Sequence, residues 1–137
     1  MEKINIGIIT NLRKLLFAYR ILFSEHIQSP ANIVLEATSI DSISSNSHIN
    51  KRPELLLIDY RLVFKDTALF FSFVNYFYPD TVILLIVHQN FLWEAKRCTN
   101  YVQSVLSPNL DINQLFMLIR NSILQSNSIL QSNIVKQ

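Results

Sequence analysis

Glycine is nearly absent. The 137-residue chain has one, Gly7, where average usage of about 7% would give roughly nine or ten. A phosphate-cradling Walker loop, a dinucleotide fingerprint and a hydrolase nucleophile elbow each need glycine at two or more positions, because only glycine lets the backbone approach a phosphate or turn that tightly. Those enzyme classes are excluded. Cysteine is equally scarce: Cys98 is alone and makes no internal disulfide. The three histidines, His26, His48 and His88, are scattered without metal-ligand spacing. No metal and no cofactor are therefore expected. Charge of one sign is missing too, with 12 Lys plus Arg against 10 Asp plus Glu and a net of +2. That excess is too small to imply a nucleic-acid or membrane partner. The longest aliphatic run, Val82 to Val87, is far below the about 18 residues of a membrane span. The N-terminal MEKINIGIIT has an acidic residue and too short an apolar stretch for a signal peptide. A cytoplasmic protein with no membrane partner is expected.

What is present is a core: half of the residues are apolar and 16% are charged, enough for one domain. Ile4 to Ile9 has β-branched isoleucine at four of its six positions, which suits a strand buried on both faces. Leu12, Leu15, Leu16, Tyr19, Leu22 and Phe23 then recur at helical spacing. Pro30 stops that helix, and ANIVLEAT reads as a second strand. Ser39 to Arg52 predicts only a short helix or an irregular loop. ELLLID is a third buried strand, ending at Asp59; Tyr60 to Lys65 is a loop, and Asp66 and Thr67 cap a helix through ALFFSFVNYFY. TVILLIV is a fourth strand, a helix is expected around FLWEAKRCTNY, VQSVLS is a short fifth strand, and a last helix starts near Asp111. Such alternation predicts a parallel sheet covered on both faces. SILQSN at 122–127 is repeated unchanged at 128–133. A six-residue period fits neither a helix nor a heptad, so a domain over 1–125 followed by a helical or disordered tail or linker over 126–137 is expected.

The five βα units, with PELLLIDYRL ending a strand on an aspartate and YPDTVILLIV leading the next, resemble the receiver domain of bacterial two-component response regulators. Receivers that precede LuxR/NarL-type helix-turn-helix domains are the nearest in style, and the resemblance spans about Lys3 to Gln125. It implies a flavodoxin-like, CheY-like doubly wound sheet in the order 2-1-3-4-5, with helices on both faces and the site at the carboxyl ends of the strands. In that family an acidic pair after strand one joins the strand-three aspartate in holding Mg2+. A Thr or Ser ends strand four, and a Lys ends strand five. Here the acidic-pair positions read Thr10 and Asn11, the strand-four hydroxyl position reads Val87 with His88 beside it, and the lysine position falls at Ser107 or Pro108. Asp59 alone remains, a vestigial phosphoacceptor. Two unit charges about 4 Å apart interact by on the order of 4 kcal/mol at an effective dielectric of 20. Neutral side chains in place of two carboxylates therefore forfeit orders of magnitude in Mg2+ affinity, and with it the electrostatic clamp of phosphoryl transfer.

The resemblance thus implies a degenerate, non-enzymatic pseudo-receiver that heads a transcription regulator. It would meet DNA only through a downstream helix-turn-helix domain outside these residues. Alternatives are a stand-alone pseudo-receiver binding a partner protein or small ligand, and an atypical receiver still phosphorylated on Asp59. Phe116, Ile119, Ile123, Leu130 and Ile134 fall near a heptad seam interrupted by Ser126, which predicts a weak homodimer through the last helix. Trp93 is a second interface candidate, and so is part of the aromatic series Phe70, Phe71, Phe73, Tyr76, Phe77 and Tyr78. Cys98 reads as buried against the sheet; Arg13, Lys14, Arg20, Lys51 and Arg52 read as solvated.

Overall fold

The computed structural model describes residues 2–45 and 51–135, and side chains over 2–44 and 51–127. Five strands, β1 (Ile4–Ile9), β2 (Ala31–Ala37), β3 (Leu55–Asp59), β4 (Val82–Ile86) and β5 (Ser104–Leu106), pair in parallel in the order β2-β1-β3-β4-β5. The connections carry α1 (Arg13–Glu25), α2 (Ile40–Ser45) and α3 (Thr67–Phe77), and α4 (Ile112–Val135) follows the last strand. This is the parallel sheet that the alternation of elements predicts, in the doubly wound order that the resemblance implies. Strands β3 and β4 are buried at every position, which is why they read as continuous apolar runs rather than alternating ones.

The sheet divides the core in two. Ile6, Ile8, Leu55, Leu57, Leu84 and Ile86 face α1 and α4, meeting Leu16, Phe23, Leu115, Phe116 and Ile119. Ile9, Leu56, Ile58, Ile83, Leu85 and Val87 face the other side, meeting Ile43, Phe70, Phe71, Val74 and Cys98. Of the α3 aromatics, Phe70, Phe71 and Tyr78 are buried, Phe73 and Phe77 are half-buried, and Tyr76 is exposed. The single glycine is there for packing. A methyl group on Gly7 would stand 2.6 Å from Leu56 Cδ2 and 3.2 Å from Leu35 Cβ. Asp66 caps α3, its Oδ1 accepting from Leu69 N at 3.1 Å. Asp80 takes φ 63° in the turn before β4, a left-handed conformation that Asp tolerates better than most residues. Arg13, Lys14, Arg20 and the pair Lys51 and Arg52 are exposed. Arg20 reaches across to Glu36 on β2, with Nε 2.8 Å from Oε1.

Two expectations are corrected. Between β4 and β5 no α-helix forms; residues 89–91 and 94–98 make separate 3-10 turns. Only Ala95 and Cys98 are buried there, a spacing of three that suits a 3-10 turn and offers no wider apolar stripe to hold an α-helix on the sheet. The second concerns α4, which spends Phe116 and Ile119 on the domain's own core, both essentially inaccessible. They are not interface residues, because the sheet takes the stripe that a partner helix would need. Ile123 is half-buried against the same cluster. Leu130 and Ile134 lie outside the described side chains. The helix runs unbroken across position 126. No helix among the described residues is long and apolar enough to cross a membrane.

Candidate functional site

Asp59 ends β3, the central strand, and the alternation of side chains turns it toward α1 at the carboxyl edge of the sheet. It is only 5% exposed, and both of its oxygens are engaged. Thr10, fully buried one residue beyond β1, donates from Oγ1 to Asp59 Oδ2 at 2.7 Å. The backbone N–H of Arg61 donates to Oδ1 at 3.0 Å, closing the 3-10 turn over 60–62. Thr10 Oγ1 also accepts from Leu12 N at 3.1 Å, so the hydroxyl is held from both sides. The one ion pair among the described residues is that of Arg20 and Glu36. Asp59 is instead held by a hydroxyl and an amide, the neutral donors that a buried carboxylate needs when no cation is beside it.

Beside Asp59 is a cavity of about 70 Å³. Leu12 and Leu15 wall it from the cap and first turn of α1, Tyr60 and Arg61 from the turn after β3, Ile86, His88 and Phe91 from β4 and its connection, and Pro108 from beyond β5. Asp59 is the only carboxylate in that wall. Among the described residues no three His, Cys, Asp or Glu side chains group as metal ligands do.

The structure brings Thr10, Asp59, His88 and Pro108 to one edge. It does not bring the other predicted site residues into the cavity. Asn11 is exposed and outside the wall. Val87 points to the opposite face of the sheet, in the cluster with Cys98, because Asp59 pairs with Ile86 and strand alternation sends the next residue away. Ser107 turns aside, its Oγ accepting from Asn109 N at 3.2 Å. His88 is exposed, and its Nδ1 accepts from Asn90 N at 3.2 Å. Leu12, Leu15 and Phe91 escaped the sequence reading as site residues. Their signal was apolar side chains in the segments that follow the strands, on the side where the resemblance leads one to look for charge.

Burial pushes the Tyr19 hydroxyl, on the α1 face of the core, up to about 12, with the Asp59 charge adding to the effect. Burial likewise raises Tyr60, whose ring is part of the cavity wall. It also raises the Cys98 thiol, which is fully buried and so kept as a protonated, weakly nucleophilic group.

A five-stranded parallel sheet in this order is the fold of response-regulator receiver domains. Solved structures of such domains superpose on it closely. The signal receiver domain of an HD domain-containing protein from Pseudomonas fluorescens Pf-5 matches with a TM-score of 0.74 at 16% identity, covering 96% of this chain and 94% of that one. The receiver domain of the putative response regulator NarL from Mycobacterium tuberculosis matches with a TM-score of 0.64 at 17% identity, covering 90% and 98%. The structure of an adenylate cyclase from Rhodopirellula baltica matches with a TM-score of 0.73 at 13% identity, covering 99% of each chain. No family model matches the sequence, and no curated protein matches it.

Proposed function

We propose that the chain is a degenerate receiver, a regulatory and non-enzymatic module in which Asp59 no longer undergoes Mg2+-dependent phosphorylation. The bond from Thr10 Oγ1 to Asp59 Oδ2 carries this reading. A neutral hydroxyl occupies the place where the cation's other carboxylate would stand, and it uses an oxygen that Mg2+ would need. Mg2+ demands near-octahedral oxygen ligands and gives up water reluctantly, and the cavity wall offers it one carboxylate among mostly apolar side chains. Output then runs through protein contacts: weak self-association and, in a LuxR/NarL-type transcription regulator, DNA binding by a downstream helix-turn-helix domain. A cytoplasmic setting follows from that role.

Calorimetric titration with MgCl2 tests the claim on the cation. The native chain gives no saturable heat at millimolar Mg2+. Thr10→Asp sets a second carboxylate against Asp59, so it lowers the unfolding midpoint without the cation and regains it with Mg2+. Saturable Mg2+ binding by the native chain, abolished in Asp59→Asn, overturns the reading.

A further inference from the structure

The loops over 60–65 and 88–101 meet at the carboxyl edge of the sheet and expose a joined aromatic and cationic surface. The Tyr60 ring centroid lies 6.4 Å from that of Phe64 and 6.1 Å from that of Phe91. Arg97 Nη2 donates to Tyr60 Oη at 3.2 Å and to the Phe64 carbonyl at 2.9 Å, tying one loop to the other. Lys96 Nζ sits 4.2 Å from the centroid of the Trp93 ring, and Trp93 is 80% exposed. Phe64, Phe91 and Leu92 are exposed as well. The 3-10 turns are the cause: they turn Ala95 and Cys98 inward and leave the larger apolar side chains facing water.

Cations outnumber carboxylates on this surface. Arg61, Lys65, Lys96 and Arg97 are four of the twelve cations of the chain. Asp66 and Glu94 stand against them, and Asp66 is already occupied in capping α3. We propose that this surface docks an acidic amphipathic segment of a partner protein, with its apolar side chains on Phe91, Leu92 and Trp93 and its carboxylates on Arg61, Lys96 and Arg97. Exposed Trp and Arg around a contiguous apolar patch are what protein interfaces concentrate. A net charge of +2 over the whole chain is weak footing for a polyphosphate strand.

This docking deepens the reading of the chain as a module that works through protein contacts, and it is tested apart from Mg2+. Trp93 is the only tryptophan, so its emission reports on the surface directly. The probes are a synthetic peptide with leucines at helical spacing and glutamates elsewhere, the same peptide with lysines for glutamates, and a single-stranded oligonucleotide. The acidic peptide shifts the emission to the blue in a saturable way. Salt weakens the binding, and Lys96→Glu, an exposed change that leaves the fold intact by circular dichroism, weakens it roughly fivefold. The lysine peptide gives no shift. No response to the acidic peptide, or an equal response to both peptides, overturns the proposal. So does a stronger response to the oligonucleotide. A blue shift that grows with protein concentration alone also overturns it and makes the occupant a second copy.

Discussion

At the scale of single residues, Gly7 shows that a rare residue need not be a conformational one. Its neighbours Leu56 and Leu35 approach so closely that even one methyl group must displace core side chains. Gly7→Ala is expected to lower stability by about 1–3 kcal/mol, read from the urea midpoint, and an unchanged midpoint would mean that the core yields at no cost. Tyr19 gives a pH signature. Its folded pKa, about 12, lies above its ordinary value of 10.0, so the neutral hydroxyl is the form that the fold favours. The resulting stability is fully present below pH 10 and is lost as pH rises through about 12, on the order of 2–3 kcal/mol. Tyr19→Phe has no such proton to lose, and its alkaline decline should be shallower than that of the native chain. Parallel curves would assign the decline to other groups, Tyr60 and Tyr78 first.

At the scale of elements, α4 outruns the sheet. Its 24 residues span about 36 Å, whereas the five residues of β4 span about 17 Å. The helix is still tied down near its middle, where Gln103 Nε2 donates to Gln125 Oε1 at 2.9 Å. Beyond the core stripe, Met117 and Leu124 are 59% and 64% exposed, and the repeated SILQSN continues the helix past the last strand. Met117 and Leu124, not Phe116 and Ile119, are the apolar side chains free to meet a second copy. Sedimentation of the full chain beside a version ending at Gln125 should show a weak dimer that truncation turns into a monomer. Monomers in both cases at high micromolar concentration would discard the dimer, and a dimer that survives truncation would place its interface before residue 126, on Met117 and Leu124 first.

At the scale of the whole molecule, β3 and β4 were legible because they are buried on both faces. β1 begins and ends on isoleucines of its apolar segment, β3 ends on Asp59, and α3 starts at its Asp66 cap. The same burial hid the site. A strand apolar on both faces has no alternation to show which side a residue faces, so only the pairing of Asp59 with Ile86 reveals that Val87 points away. The helix expected around residues 91–101 failed because local spacing cannot say how wide a stripe the sheet will cover. On α4 the apolar residues were correctly found, but which of them the sheet takes depends on a surface far away in sequence. Asp59 beside Thr10 was legible only through the resemblance. The hydroxyl bond that links them, and the cavity wall of Leu12, Leu15 and Phe91, became visible only once the fold had placed them together.

On the proposed reading, a receiver fold keeps its aspartate here without the electrostatics that make it a phosphoacceptor. Intact-mass spectrometry after incubation with acetyl phosphate and Mg2+ tests this most directly. The native chain should keep its unmodified mass, indistinguishable from Asp59→Asn treated in the same way. A substantial acyl-phosphate adduct that appears only with Mg2+, is removed by chelator and is absent in Asp59→Asn would contradict it.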